Sequence, residues 1–252
     1  MIEFSEFSCA LDDGIASRAA IGLVVLATDQ TIEYEFHHWL RLPGVAIYEA
    51  RLFNDNEVSR ATLRAMGPRI APATALILPD MPLNVVAFGC TSATMELGED
   101  AVFAEIRRAR PGVACTTPVT AARAAFAALG ARRIAVLTPY APAVNANVHA
   151  YLTAQGLEIA AFGSFNKPDD REAARISEAS IADGVAALVA RARVDAVFVS
   201  CTSLRLAGMV SSIERRVGVP VTSSNHAMAW HSLRLAGVKD TIKDLGQLFE
   251  FA

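Results

Sequence analysis

The sequence predicts an α/β protein of two similar lobes, each a mostly parallel sheet flanked by helices. Two copies of one phrase support this prediction: Cys90-Thr91-Ser92 follows the apolar run 85–88, and Cys201-Thr202-Ser203 follows the largely apolar run 195–199. Other landmarks recur at a nearly constant distance, because positions 21 and 45 correspond to positions 134 and 158, both 113 residues later, and the two cysteines are 111 apart. Such a repeat predicts a pseudo-two-fold between the lobes, with a site in the cleft between them.

The composition bounds the size and the surroundings of the protein. A chain of 252 residues can form one large domain or two of ordinary size, and we predict lobe one at residues 1–117 plus 226–252 and lobe two at residues 118–225. Apolar residues make up 53%, but their runs are far shorter than the ~20 residues of a membrane span. The net charge is −3 without a basic block, and residues 1–6 lack the order of a signal peptide. We therefore expect a cytoplasmic protein without membrane or nucleic-acid partners.

The first half is predicted to alternate strands with helices. Thr28 or Asp29 caps the first helix, which carries Ile32 and Phe36 on one face and ends near Pro43. Apolar, β-branched runs mark the strands: 20–27, 44–52, 84–88 and 113–118. Capping and turn residues delimit the other helices: Asn54 to about 70 with a break at Gly67-Pro68, 73–78, 98–110 and 119–129.

The second half repeats this pattern. Its predicted strands are 133–137, 157–165 and 195–199, and its predicted helices are 144–155, 176–191, 207–216 and 226–235. Each Cys-Thr-Ser phrase is therefore expected where a buried strand ends and a helix begins, which is where α/β sheets carry their sites. A helix N-terminus at that point is expected to lower the pKa of the thiol.

The pseudo-two-fold is expected to bring Cys90 and Cys201 to face each other across the cleft. One thiolate can then attack or deprotonate a carbon while the other thiol donates a proton from the opposite face. The neighbouring hydroxyls can bind a carboxylate or hold an enolate; they belong to Thr91, Ser92, Thr202 and Ser203. The alternative is that both phrases are ordinary turns, in which Ser and Thr cap helices and Cys packs.

Further polar residues are candidates for substrate contacts. Tyr140 follows the strand that corresponds to the first one, and its phenol can donate to a substrate oxygen or be a half-buried loop side chain. Asp29 holds the equivalent place in lobe one and is a contact or a helix cap. Asn166 ends a strand, where a turn role is favoured. His226 could approach the loop of Cys201, whereas Asp169-Asp170 reads as a solvated loop.

No metal-ligand spacing or phosphate loop occurs in the sequence. We expect neither a metal nor a cofactor.

Several phrases together resemble the aspartate/glutamate racemase superfamily. They are the doubled Cys-Thr-Ser, the opening 21–25 with Thr31-Ile32-Glu33, and Thr138-Pro139-Tyr140 with Val144-Asn145. The branch that they resemble most holds maleate cis-trans isomerase, arylmalonate decarboxylase and the maleate-isomerase-like proteins of ectoine breakdown. The resemblance covers essentially the whole chain and implies a cofactor-independent enzyme with its site between two lobes.

The resemblance also implies roles for individual residues. Cys90 would add to a substrate carbon, and Cys201 would supply or remove the proton. The carboxylate-binding shell would be Thr91, Ser92, Tyr140 and Thr202, with Asn166 as a looser match. The decarboxylases of this branch keep only the second cysteine, so Cys90 favours isomerisation or racemisation. Where maleate isomerases carry Asn, this chain has Asp29, which could hold an ammonium group and favours an amino-acid-like substrate, as in ectoine breakdown.

We therefore expect an isomerase or racemase of a small carboxylate that acts through two thiols and forms a homo-oligomer. Two alternatives remain: a lyase that decarboxylates through an enolate protonated by Cys201, and a non-catalytic small-carboxylate-binding protein. Fast alkylation of both thiols near neutral pH would favour the enzymes.

Overall fold

Two four-stranded parallel sheets form the centre of the structure, a computed structural model that describes residues 4–56 and 58–252. The strand order is β2-β1-β3-β4 in one sheet and β6-β5-β7-β8 in the other, so the two lobes have the same topology. The strands are β1 Ala19–Leu26, β2 Val45–Leu52, β3 Val85–Phe88, β4 Ala114–Thr116, β5 Arg133–Thr138, β6 Glu158–Ser164, β7 Ala196–Val199 and β8 Val221–Ser223. This architecture confirms the predicted two-lobed α/β fold.

Helices flank both sheets. They are α1 Ile32–Trp39, α2 Arg60–Arg64, α3 Gly67–Ala75, α4 Thr91–Leu97, α5 Glu99–Ala109, α6 Pro118–Leu129, α7 Pro142–Ala154, α8 Asp170–Ala173, α9 Glu178–Arg191, α10 Val210–Val217 and α11 Ser224–Leu235, followed by a short 3₁₀ helix at Gln247–Glu250. None of the helices in the described ranges is long and apolar enough to cross a membrane.

The central strands are buried on both faces, as expected for short apolar strands in a covered parallel sheet. All residues of β1, β3 and β7 are buried. Phe126 of α6 packs edge-on against Phe198 of β7, with ring centroids 5.9 Å apart. Helix α6 packs on α11, which contacts β3 and β4 of one sheet and β8 of the other. Since these helices join the lobes, the domain boundaries at 117/118 and 225/226 stay predictions.

The helix predicted from Asn54 is placed differently in the structure. Asn54 bonds to Thr28 instead, with its Nδ2 2.8 Å from Thr28 Oγ1 and its Oδ1 3.2 Å from Thr28 N. Ser59 caps α2 by accepting from the N–H of Thr62, and the predicted break is observed at residues 65–66, directly before Gly67-Pro68 begins α3. Glu57 of the predicted helix lies outside the described residues. Residues 1–3 of the segment 1–6, which was considered as a signal peptide, also lie outside them.

The second Cys-Thr-Ser phrase corrects another expectation. Cys90 is the N-cap of α4, but Cys201 is followed by turns over residues 202–209, and α10 begins only at Val210. The predicted repeat therefore holds for the strands and the cysteines, but not for the helix after the second cysteine.

Candidate active site at the two cysteines

Cys90 and Cys201 occupy equivalent places, each two residues beyond the end of the third strand of its sheet. Their side chains are buried, with 4% and 3% of the residue surface exposed. Both line one narrow cavity between the lobes, with a volume of about 20 Å³. The structure thus brings together the two thiols that the repeated phrase singles out.

Each thiol receives a backbone hydrogen bond from the residues that follow it. The N–H of Ala93 donates to Cys90 Sγ at 3.4 Å, and the N–H of Ser203 donates to Cys201 Sγ at 3.4 Å. The hydroxyl of Ser92 lies 3.8 Å from Cys90 Sγ, and the hydroxyl of Tyr140 bonds to Cys201. These donors favour a thiolate on either sulfur.

Burial outweighs those donors in the empty cleft. Burial, together with the charge of Asp170, raises the pKa of Cys90 and of Cys201 to about 12. The expected lowering of the thiol pKa is therefore wrong for this state, and both sulfurs hold their protons at neutral pH. Burial also raises the pKa of Tyr140 well above its usual range, so its phenol is a donor.

Four hydroxyl groups from the predicted shell line the same cavity. They belong to Thr91, Ser92, Tyr140 and Thr202. Thr91 Oγ1 lies 2.9 Å from Ser224 Oγ at the start of α11, which holds its side chain in place. Ser203 lies behind Cys201, where its carbonyl accepts from Thr31 Oγ1 at 3.1 Å.

Asp29 is observed as a helix cap. Its Oδ1 accepts the N–H groups of Thr31 at 2.7 Å and Ile32 at 2.9 Å, at the start of α1. Its Oδ2 is buried and accepts no hydrogen bond of normal length within the described ranges, although the side chain of Thr202 beside it favours the charged form. Burial raises the pKa of Asp29 to about 6. Asp29 stays behind the cavity wall, and its role as a substrate contact remains a prediction.

Asp170 lines the cavity, which the sequence interpretation missed. Its Oδ2 accepts from Thr28 Oγ1 at 3.0 Å, and its Oδ1 accepts from Ser203 Oγ at 3.4 Å. Asp169 instead caps α8 and pairs with Arg171 at 2.6 Å. This pair is therefore not simply a solvated loop, because Asp169 caps a helix and Asp170 lines the cavity.

A buried glutamate supports the segment after Cys201. Glu35 on α1 is fully buried and accepts the N–H groups of Leu206 and Ala207, the latter at 2.7 Å. Asn225 also donates to it. Burial raises the pKa of Glu35 to about 8. No sequence motif marks Glu35, since its contacts come from residues more than 170 positions away.

Two candidates lie away from the thiols. Asn166 is an exposed turn residue with φ of +52° and does not line the cavity. His226 does not approach the loop of Cys201, because its Nε2 lies 2.7 Å from the carbonyl of Leu245 and its Nδ1 3.1 Å from Thr222 Oγ1. Its ring packs against Trp39 and Phe249.

A second, more apolar cavity of about 330 Å³ adjoins the first. The two share Val58, Leu63 and Ser92, and the second continues to Met95 and Val148. The combined space offers thiols and hydroxyls at one end and apolar side chains at the other. Within the described ranges, no group of three or more His, Cys, Asp or Glu side chains is placed to hold a metal ion.

Comparisons with known proteins agree with this geometry. The family model for arylmalonate decarboxylase matches residues 58–249. The arylmalonate decarboxylase of Bordetella bronchiseptica is 36% identical over 131 residues, which are 52% of this chain and 55% of that protein. The structure is also similar to that of the Nocardia farcinica maleate cis-trans isomerase bound to TRIS, with a TM-score of 0.83 and 26% identity over 92% of this chain and 98% of that one.

A cysteine-to-serine mutant of that isomerase, with a covalently bound succinylcysteine intermediate, matches with a TM-score of 0.82 and 26% identity over the same shares of the two chains.

Proposed function

The chain belongs to the arylmalonate decarboxylase family, and from that premise we propose that it is an isomerase or racemase of a small carboxylate that works with two thiols and no cofactor. The observation that carries this proposal is that Cys90 and Cys201 line one cavity from opposite lobes. A protein that only decarboxylates or only binds its ligand has no need of a second thiol facing the first.

In the isomerase form of this proposal, Cys90 releases its proton to solvent as the substrate binds, and its thiolate adds to one carbon of a carbon–carbon double bond while the adjacent carbon takes a proton from Cys201. Rotation about the resulting single bond, return of that proton to Cys201 and loss of Cys90 then give the other isomer. The succinylcysteine of the Nocardia farcinica isomerase mutant, in which a cysteine is bonded to a saturated substrate, supports this course. In the racemase form, one thiolate removes a proton from the carbon next to the carboxylate, and the other thiol delivers one to the opposite face.

The hydroxyl groups around the thiols are proposed to stabilise the negative charge that develops during the reaction. Negative charge grows on the carboxylate oxygens as the carbanion forms, and fixed donors stabilise it without reorganising. In our proposal, the donors are the hydroxyls of Thr91, Ser92, Tyr140 and Thr202, which line the cavity. Because both thiols hold their protons in the empty cleft, one of them must lose its proton once the substrate is bound.

A decarboxylase is the second candidate. Loss of carbon dioxide from a malonate leaves an enolate, which Cys201 would protonate. The apolar cavity of about 330 Å³ beside Ser92 favours this candidate, because it has room for an aryl or alkyl group. The 36% identity to an arylmalonate decarboxylase supports it as well. Action on an ectoine-breakdown intermediate, cytoplasmic location and self-association stay predictions.

Proton NMR in deuterated water tests the proposal. The panel is maleate, aspartate, glutamate, a diaminobutyrate derivative and an aryl malonate, each with wild type, Cys90→Ser and Cys201→Ser. Cys115→Ser is the matched control, because Cys115 is a buried cysteine outside the cavity. We expect isomer formation or deuterium uptake that either cavity substitution abolishes and the control retains.

Each other result has a defined meaning. Loss of carbon dioxide that survives Cys90→Ser and ends with Cys201→Ser would move the protein to the decarboxylases. Turnover that neither substitution changes would contradict the two-thiol proposal.

A further inference from the structure

We propose that Asp170 forms a cation subsite in the thiol cavity, so that the substrate carries an ammonium group or another cationic nitrogen beside its carboxylate. The inference rests on the proposed function in so far as the cationic ligand is called a substrate. The binding preference that it predicts does not depend on turnover.

The first observation is the setting of the Asp170 carboxylate. Its hydrogen bonds come from the neutral hydroxyls of Thr28 and Ser203, one to each oxygen. The adjacent Arg171 pairs with Asp169 and leaves Asp170 without it. Within the described ranges, no ion pair involves Asp170. Its charge is therefore held in place but not neutralised by the protein.

The second observation is the charge of the whole lining. Among the described residues that line the cavity, none is Lys, Arg or His. Asp170 is half-buried, and desolvation raises its pKa more than the hydroxyl donors Thr28 and Ser203 lower it, so its charged form lacks a counter-ion. An ammonium group provides what the site lacks, with a positive charge and donors for Asp170.

The third observation is the unpaired oxygen of Asp29. Asp29 is 3% exposed and lies beside Thr202, which lines the cavity. The charge of Asp170 raises the pKa of Asp29, so the two carboxylates sense one another. Negative potential from both falls on the same part of the cleft. A second carboxylate of a ligand would be repelled there, whereas a cation would be attracted.

A bound cation would also change the thiols. The charge of Asp170 is one reason that the pKa values of Cys90 and Cys201 are raised. Pairing Asp170 with an ammonium group removes that cause and makes each thiol easier to ionise. The substrate would thus help to activate the groups that attack it, and the empty enzyme would stay unreactive.

Calorimetric binding of two matched probes to the wild-type protein at pH 7.5 tests the subsite. β-Alanine carries an ammonium group and succinate a second carboxylate, each two methylene groups from the first carboxylate. We expect β-alanine to bind at least about tenfold more tightly than succinate, because the two differ in sign of charge at Asp170. Asp170→Asn should remove or reverse this preference, whereas Asp183→Asn, which removes an exposed carboxylate that pairs with Arg216 outside the cavity, should keep it.

Three results would overturn the inference: a wild-type preference for succinate, an unchanged preference in Asp170→Asn, or no binding of β-alanine at about 50 mM, a concentration that detects even weak millimolar affinity. If the preference holds while the NMR panel shows no turnover, the proposed function fails and the cation subsite stands. If turnover is found without the preference, the proposed function stands and the cation subsite fails.

Discussion

The side-chain nitrogen of Asn225 lies 2.7 Å from Oε2 of Glu35, and this bond ties α11 to α1 beneath the second cysteine. The same nitrogen lies 2.7 Å from the carbonyl oxygen of Thr202. Glu35 also accepts the N–H groups of Leu206 and Ala207. The turn segment after Cys201 is thus held by the Glu35 carboxylate of the other lobe. The segment after Cys90, by contrast, forms the first turn of α4.

Glu35 predicts a pH dependence of stability. Burial raises its pKa from 4.5 in the unfolded chain to about 8 in the folded protein. Between these values the folded state holds a proton that the unfolded state has lost, so the unfolding free energy falls as the pH rises, and it levels off above about 8. Between pH 5 and 9, wild type should lose on the order of 3 kcal/mol more than Glu35→Gln.

Urea titrations at several pH values measure this difference. Glu33→Gln is the control, because Glu33 lies on the same helix but pairs with Arg51 at the surface. Parallel pH curves for wild type and Glu35→Gln would contradict the prediction.

The sheets were predictable because short apolar runs between turn residues are a local signal. Every predicted strand overlaps an observed one, and the repeat of Cys90 and Cys201 marked the cavity. Glu35 was not predictable in this way. It stands between Tyr34 and Phe36 in a helix with polar and apolar residues mixed, and its burial depends on the segment at 206–207.

The same long-range contact explains why no helix begins directly after Cys201, although the sequence predicts one there. A helix would satisfy the N–H groups of that segment internally, but here Glu35 accepts two of them. The position of Asp170 in the cavity was not predicted, because in the sequence it is only the second residue of the acidic pair Asp169-Asp170. Asp169 caps a four-residue helix, and only the folded chain shows that the next carboxylate meets Thr28 of the other lobe.

Tyr140 predicts a difference in reactivity between the thiols. Its hydroxyl donates to Cys201 and lowers the pKa of that thiol against the effect of burial. Tyr140→Phe should slow alkylation of Cys201 by iodoacetamide at pH 9 about three- to tenfold, the effect expected when one donor to the thiolate is lost. Cys90 should keep its rate.

Peptide mass spectrometry follows each thiol, in a Cys9→Ser background because Cys9 is exposed and reacts as well. Tyr151→Phe is the control, since Tyr151 donates to Glu99 at 2.6 Å. Equal slowing by the two Tyr substitutions would show that the bond to Cys201 is not the cause. Because both thiols are protonated in the empty cleft, wild type should be alkylated slowly near neutral pH without ligand, so slow alkylation of the empty protein does not favour a non-catalytic binding protein.

The ion pairs of Glu96 with Arg60 and Arg64 are expected to hold α2 in place over the cavity. Its side chain is 2% exposed and lies 3.0 Å from Arg60 Nε and 2.7 Å from Arg64 Nε. Leu63 on the same helix lines both cavities. Glu96→Gln should cost about 1 kcal/mol, more than an exposed pair, because the carboxylate is shielded from water.

Hydrogen exchange of the α2 amides should accelerate in Glu96→Gln and stay unchanged in Glu158→Gln, which removes an exposed partner of Arg133. Unchanged exchange in α2 would mean that apolar packing alone holds the helix.

The tight packing around Gly89 is expected to fix the position of the next residue, Cys90. A Cβ at this residue would lie 2.7 Å from Ile32 Cδ1 and 3.1 Å from the carbonyl oxygen of Val24. Gly89 N is bonded to that same oxygen at 2.8 Å, so the backbone cannot move away without losing the bond. Gly89→Ala should therefore destabilise the protein by about 1–3 kcal/mol.

It should also displace Cys90, the next residue, and lower turnover by up to about 100-fold, since a shift of about 1 Å is enough for such a loss.

Relief at the contacting side chain separates this cause from a general loss of stability. Ile32→Val removes the Cδ1 atom that the new methyl group would meet. The double variant should recover part of the stability and turnover that Gly89→Ala loses, which a double-mutant cycle measures as a favourable coupling. Gly67→Ala is the control, because its Cβ would meet only the side-chain end of Leu97 at 3.3 Å. Additive losses in the double variant would show that the contact with Ile32 is not what Gly89 avoids.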